Sequence, residues 1–355
     1  MKYKKIIYFF IINIIIFLSA CNKTIPQEKL YVYNWGLYID EKTIELFEKE
    51  YNIKVIYDMF DTNEEMYAKL KSNNEIYDVL CPSDYMIEKL IKEEKLYSFD
   101  ITKLQNYKYL DKKCLELMQS FDNNNSYAIP YVYSTIGIIY NKKILSEKGL
   151  SYPTKWSDLF LEKYKNEIIL QDAVRDLIMV GLKKNEFSMN TININELKKA
   201  EEDLINQKPL IYAYLIDAAR DKMVLGEAAI SSMYSGEVSY IKEEGKKNGF
   251  EYEYILPLEG ANLTFDCWCI PKNANNKRNA IKWIDFMTRP DIAKINYEYM
   301  HYGVPNTKVY NSIDDKEKED KNIFPNLYDN KLEIYKDLGD MEEEYNNIYK
   351  NIKSK

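Results

Sequence analysis

Leu263-Thr264-Phe265-Asp266-Cys267-Trp268-Cys269-Ile270-Pro271 is a short apolar and aromatic run with one carboxylate in its middle. Glu259-Gly260-Ala261-Asn262 bounds it before, and Lys272-Asn273 follow its closing proline. Those flanks, the length and the aromatic content predict a buried strand rather than a helix. With two-residue alternation, Thr264, Asp266 and Trp268 share one side of it. A lone charge inside a buried strand is costly unless a cation pairs with it. Asp266 therefore predicts either a structural salt bridge to a lysine or arginine of the chain, or a site for a cationic ligand.

A second extended run, Ile129 to Tyr140, is broken only by Pro130 and Gly137 and is long for one strand. Such a segment can leave one sheet and join another, and Leu263–Pro271 is the matching return. Two crossings give two lobes with a hinge and a cleft below it. The 355 residues suffice for two lobes of ordinary size. Around these runs, strands alternate with helices. Strands are expected at Leu30–Trp35, Ile53–Phe60, Tyr77–Cys81 and Ile168–Gln171, and helices at Asp40–Lys49, Asn63–Lys71, Met86–Glu94 and 174–184. The tail from Pro325 onward is expected to be helical and to lie on the second lobe. The pattern is that of an α/β protein with parallel strands joined by right-handed crossovers. In such sheets ligands bind beyond the carboxyl ends of the strands. The loops Trp35-Gly36-Leu37-Tyr38 and Pro82-Ser83-Asp84-Tyr85 fall at that edge.

Composition narrows the partners. The net charge is −7. Loss of the first 20 residues, which hold three lysines and no acid, leaves −10. An acidic body argues against nucleic acid and favours a cationic partner. The 33 tyrosines suit half-buried ligand walls. Met1 to Ala20 reads as a secretory signal: Lys2, Lys4 and Lys5, then the apolar Ile6 to Phe17, then Leu18-Ser19-Ala20-Cys21. The last four residues look like a bacterial lipobox, with Cys21 lipidated. Residues 21–28 are then a tether, and the protein is expected in the periplasm or at the cell surface, anchored to the membrane by lipid. Cys81, Cys114, Cys267 and Cys269 form no CxxC pair, and His301 is the only histidine, so a zinc site or a Cys–His nucleophile has little support. No nucleophile stands beside a base, and neither a cofactor nor catalysis is expected.

Several stretches together resemble a known family. They include Tyr33-Asn34-Trp35 with Tyr38, Asn63-Glu64-Glu65-Met66-Tyr67-Ala68-Lys69-Leu70, Tyr77-Asp78-Val79 with Pro82-Ser83, and Ile129-Pro130-Tyr131. Further on come Val174-Arg175-Asp176, Phe265-Asp266 with Ile270-Pro271, Arg289-Pro290-Asp291-Ile292-Ala293-Lys294, and Tyr302 with Pro305-Asn306. In order and spacing the chain resembles the periplasmic spermidine/putrescine-binding proteins of bacterial ABC importers, over nearly its whole mature length. The resemblance implies a two-lobe periplasmic-binding-protein fold, each lobe a mixed sheet flanked by helices, joined by a two-crossing hinge. On this chain the lobes are expected at 29–134 with 268–303, and at 135–267 with 304–355. It implies a monomeric receptor that captures putrescine or spermidine and delivers it to a permease with its ATPase subunit.

Carried onto this chain, the resemblance implies ligand contacts from Trp35, Tyr38, Ser83, Tyr85, Asp176, Tyr234, Asp266 and Tyr302. Asp172 is expected beside them, because the family's second-lobe aspartate falls at Ala173. Thr264 stands where the family has a tryptophan, which leaves the choice between putrescine and spermidine open. The family's late glutamine falls at Tyr335. A polyamine is a methylene chain with ammonium groups at intervals. Its ammoniums want carboxylates and other acceptors, while its methylenes want flat apolar walls. Ring faces attract the cations by about 0.5–2 kcal/mol per contact. Alternatives are a receptor for another cationic cargo such as ferric ion, a polyamine sensor without transport, and a secreted enzyme.

Overall fold

The structure, a computed structural model, describes residues 27–72 and 76–355. The predicted leader, the lipobox with Cys21 and most of the predicted tether lie outside the described residues. In chain order the strands are β1 (Glu28–Trp35), β2 (Ile53–Phe60), β3 (Val79–Leu80), β4 (Ala128–Ser134), β5 (Ile136–Asn141) and β6 (Ile168–Gln171). They continue as β7 (Ile211–Leu215), β8 (Ile230–Tyr234), β9 (Tyr252–Ile255), β10 (Ala261–Asn262), β11 (Thr264–Cys269) and β12 (Leu332–Glu333).

Two five-stranded sheets result, ordered β2-β1-β3-β11-β4 and β7-β6-β8-β5-β9. Each is mixed and flanked by helices, as expected. In the first sheet β11 alone runs against its neighbours β3 and β4. In the second, β5 alone runs against β8 and β9. These two strands are the ones the chain forms on arriving from the other lobe. The long extended run thus divides as β4 in one sheet and β5 in the other, with Thr135 between them. Asn262 braces the crossings against each other: its Oδ1 accepts from Ile136 N at 2.6 Å and its Nδ2 donates to Thr264 Oγ1 at 2.7 Å.

The residue types explain the layers. Along β5, Ile136 and Ile138 face one apolar core and Ile139 faces another, and Ile168, Ile169 and Leu170 of β6 alternate in the same way. A strand apolar on both faces belongs inside a sheet covered by helices on both sides. Edge strand β2 instead alternates at its start, with Ile53 and Val55 buried and Lys54 exposed. Helix Glu41–Tyr51 opens on Asp40, whose side chain accepts from Lys42 N, and ends on Asn52 in the left-handed region. Caps of that kind contribute roughly 1 kcal/mol each. Gly137 sits where a Cβ would lie 2.3 Å from Ile255 O and 2.6 Å from the Tyr254 ring, so β9 closes on β5 only over a glycine.

Three expectations change. Thr264–Cys269 pairs wholly within the first sheet, so the return crossing falls at Asn262–Leu263 rather than after Cys267, and Asp266 belongs to the first lobe. Val304, Val309, Ile313, Ile323 and Phe324 join the first core, whereas Tyr335, Tyr345, Ile348 and Ile352 join the second. The tail therefore crosses between the lobes a third time, near β12, which pairs with β10. Only Glu342–Ser354 of that tail is a regular α-helix, because Pro325 and Gly339 interrupt what precedes it. Cys81, Cys114, Cys267 and Cys269 are buried free thiols.

Candidate functional site

One cleft of about 1040 Å³, counted to its open mouth, lies between the lobes. The carboxyl ends of β1, β3, β6 and β8 deliver their loops to it. Of the nine residues expected at the site, eight line this cleft: Trp35, Tyr38, Ser83, Tyr85, Asp176, Tyr234, Asp266 and Tyr302. Asp172 does not. Its Oδ1 accepts from Tyr349 Oη at 2.7 Å and from Lys353 Nζ at 2.6 Å, so it ties the second lobe to the C-terminal helix. Its neighbour Gln171 turns to the cleft instead.

Asp266 sits on β11 beside the end of β3, bridged to Ser83. Its side of the strand carries Thr264 into the cleft as well, while Phe265 faces the opposite way and packs near Phe121 and Tyr133. A bulge follows Asp266, and Trp268 lies in the core against Tyr131, ring centroids 4.7 Å apart. Asp266 is 4% exposed. Oδ2 accepts from Tyr38 Oη at 2.6 Å and Oδ1 accepts from Ser83 Oγ at 2.7 Å. Ser83 is oriented in turn by Asn63, whose Oδ1 accepts from Ser83 N at 3.2 Å. Asp176 is 7% exposed, in the first turn of helix Val174–Lys184. Its two oxygens accept from Tyr335 Oη at 3.0 Å and from Tyr234 Oη.

Among the described residues neither carboxylate forms an ion pair; hydroxyl groups are their hydrogen-bond partners. Burial pushes both carboxyls up to about 6, against the pull of those hydrogen bonds, and the charge of Asp176 adds to the rise at Asp266. Burial, and then the adjacent carboxylate, hold the phenols of Tyr38 and Tyr234 well above their usual range, which keeps them donors. The arrangement is a cage that holds negative charge without neutralising it.

Rings form the walls. Tyr38 meets Tyr302 edge-on at 5.1 Å and lies 6.3 Å from Trp35. Leu37, in the left-handed region at φ 53°, turns the chain so that Trp35 and Tyr38 both reach the cleft. Tyr131 Oη pins the turn by donating to Tyr38 O at 2.8 Å.

The cleft also takes Asp61, Glu64, Asp217 and Glu237, so six carboxylates line it against two guanidiniums. Arg220 is 3.3 Å from Glu237. Arg175 gives its N–H groups to Lys336 O, Met189 O and Asn190 Oδ1. Reading the sequence did not single out these additional acids. Glu64 and Glu237 open helices, where an acid is unremarkable beside the helix dipole. Tyr335, where the resemblance puts the family's late glutamine, lies on irregular chain with no periodicity to mark it.

Over residues 42–325 the chain matches the model of the family described as bacterial extracellular solute-binding protein. The spermidine/putrescine-binding periplasmic protein of Salmonella typhimurium is 34% identical over 300 residues, 84% of each chain. The putrescine-binding periplasmic protein SpuD of Pseudomonas aeruginosa is 32% identical over 305 residues, 83% of each. Among solved structures, a chain from Listeria monocytogenes described as a spermidine/putrescine ABC transporter is similar at a TM-score of 0.86 and 37% identity, covering 92% of this chain and 99% of that one. The chain thus belongs to the bacterial extracellular solute-binding proteins, a family of ligand receptors rather than enzymes.

Proposed function

We propose that this chain is a receptor that captures a polyamine, putrescine or spermidine, between its two lobes and delivers it to an ABC permease with its ATPase subunit. One observation carries the reading: Asp176 and Asp266, one on each lobe, are buried in a ring-walled cleft and, among the described residues, hydrogen-bonded by hydroxyl groups. Two buried carboxylates that form no ion pair among the described residues are matched by a flexible ligand carrying two or more ammonium groups. The relatives at 32–34% identity are named for binding such molecules. A ligand touching both lobes favours their closure, which gives a permease a loaded form to recognise. The site residues are Trp35, Tyr38, Ser83, Tyr85, Asp176, Tyr234, Asp266 and Tyr302, with Tyr335 added.

In this reading the receptor is a monomer held at the membrane through lipid on Cys21. Among the described residues no helix is long and apolar enough to cross a membrane. The test uses the chain from Asn22, which keeps every described residue. A thermal-shift panel of diamines, triamines, amino acids and sugars should show stabilisation by putrescine or spermidine alone. Stabilisation by an amino acid or sugar instead would overturn the polyamine reading. Membrane fractionation of the full chain and of Cys21→Ser tests the anchor, and equal retention of both would exclude it.

A further inference from the structure

One pair of cleft carboxylates extends this reading. Glu64 lies in the first turn of helix Asn63–Ser72 in the first lobe, and Asp176 in the first turn of helix Val174–Lys184 in the second. A tyrosine of its own lobe holds each one. Tyr85 Oη donates to Glu64 Oε1 at 2.9 Å, and Tyr335 Oη donates to Asp176 Oδ1 at 3.0 Å. The two rings meet edge-on across the gap, centroids 6.0 Å apart. The charge of Glu64 adds to the rise at Asp176 that burial causes, so the two groups feel one another.

Neither forms an ion pair among the described residues. Arg175 lies over Tyr335 at 4.5 Å and over Tyr85 at 5.3 Å, with its Nη groups donating to Lys336 O, Met189 O and Asn190 Oδ1 rather than to either carboxylate. A further acceptor is available. Gln171 is 2% exposed and lines the same cleft. Its Nε2 donates to Ser232 O at 3.0 Å, while its Oε1 has no partner among the described residues. An ammonium group donates up to three hydrogen bonds, and carboxylates on facing walls repel unless a cation separates them.

We propose that Glu64 and Asp176 form a clamp, one jaw on each lobe, for a terminal ammonium group of the ligand, with Gln171 as a neutral acceptor in the same cleft. The clamp rests on the polyamine reading and adds a selection rule to it. A ligand whose end group is neutral leaves two facing carboxylates without a cation and is rejected.

Calorimetry on the chain from Asn22 tests this with spermidine, putrescine and N-acetylputrescine. Glu64→Gln should weaken spermidine by about 10-fold, the scale of one hydrogen bond to a charged group. Glu64→Asp should recover part of that loss, which separates charge from folding. The double variant Glu64→Gln with Asp176→Asn should lose less than the product of the single losses, because both groups act on one ammonium. Wild type should bind N-acetylputrescine far more weakly than putrescine. Unchanged affinity in Glu64→Gln, or losses that simply multiply, would overturn the clamp. A wild-type chain that binds no polyamine removes the clamp together with the receptor function. Strong wild-type binding that Glu64→Gln leaves intact removes the clamp alone.

Discussion

Tyr38 holds Asp266 through a neutral donor, Oη to Oδ2 at 2.6 Å, at a position where a structural salt bridge would have placed a lysine or arginine. Ser83 takes the other oxygen in the same manner. Asp266 is therefore oriented but not neutralised. Oriented, uncompensated charge is a stability cost that a cationic ligand can relieve.

That cost has a sign in pH. An unfolded aspartate titrates near its ordinary value, whereas Asp266 is pushed up to about 6. Between those values the folded state binds more protons, so this group makes the fold less stable as pH rises through the window. Asp266→Asn removes the effect. Chemical denaturation should find the ligand-free variant close to wild type near pH 4 and more stable near pH 8, by up to about 3 kcal/mol. A variant less stable than wild type at pH 8 would mean that the carboxylate supports the fold.

Ligand binding carries the opposite dependence. Polyamine ammoniums need Asp176 and Asp266 ionised, and both carboxyls lie near 6 without ligand. Affinity should fall as pH drops through 6, and binding near pH 6 should release protons, seen as a buffer-dependent heat. Affinity that stays flat from pH 5 to pH 8 would remove these two groups from the ligand.

Asp172 provides a contrast within the same loop. It is tied to Tyr349 and Lys353 of the C-terminal helix. Asp172→Ala should lower stability by about 1 kcal/mol, since the pair is partly exposed, and should leave polyamine affinity unchanged. A large loss of affinity would return Asp172 to the site.

How much of this was legible follows residue chemistry. Ile53–Phe60 and Ile168–Gln171 form strands at their expected bounds, because apolar β-branched runs between turn residues permit little else. The hinge was visible as one long and one short extended run far apart in sequence, although the return crossing precedes the short run instead of lying within it. Tyr77–Cys81 shrinks to Val79–Leu80, whose neighbours β1 and β11 overlap it for only a few residues. Asp172 is expected only because it adjoins Ala173, where the resemblance puts an aspartate, and adjacency along the chain does not say which side chain at a strand end turns inward; Gln171 does. Tyr335 reaches the cleft through its bond to Asp176, 159 positions away, and its ring contact with Tyr85, and Glu64 faces that pair only once the lobes meet, all beyond the reach of local pattern.

Close approach between the lobes gives a steric prediction. Gly236 has an ordinary helical φ of −66°, yet a Cβ there would lie 2.0 Å from the Tyr302 ring. Gly236→Ala thus strains no backbone but must move a ring of the other lobe, so the roughly 1–3 kcal/mol typical of overpacking falls on closure of the lobes rather than on packing within either one. Polyamine binding should weaken by about tenfold while the melting temperature changes little. Full affinity in this variant would show that the ring has room to shift.

Calorimetric titration of spermidine and putrescine into the wild-type chain and into Asp266→Asn tests the receptor reading most directly. Wild type should bind at least one of them with submicromolar to micromolar affinity, and the folded variant should lose about 2–5 kcal/mol of it. No heat from the wild type with either amine, or equal affinity in the folded variant, would contradict a polyamine held by Asp266.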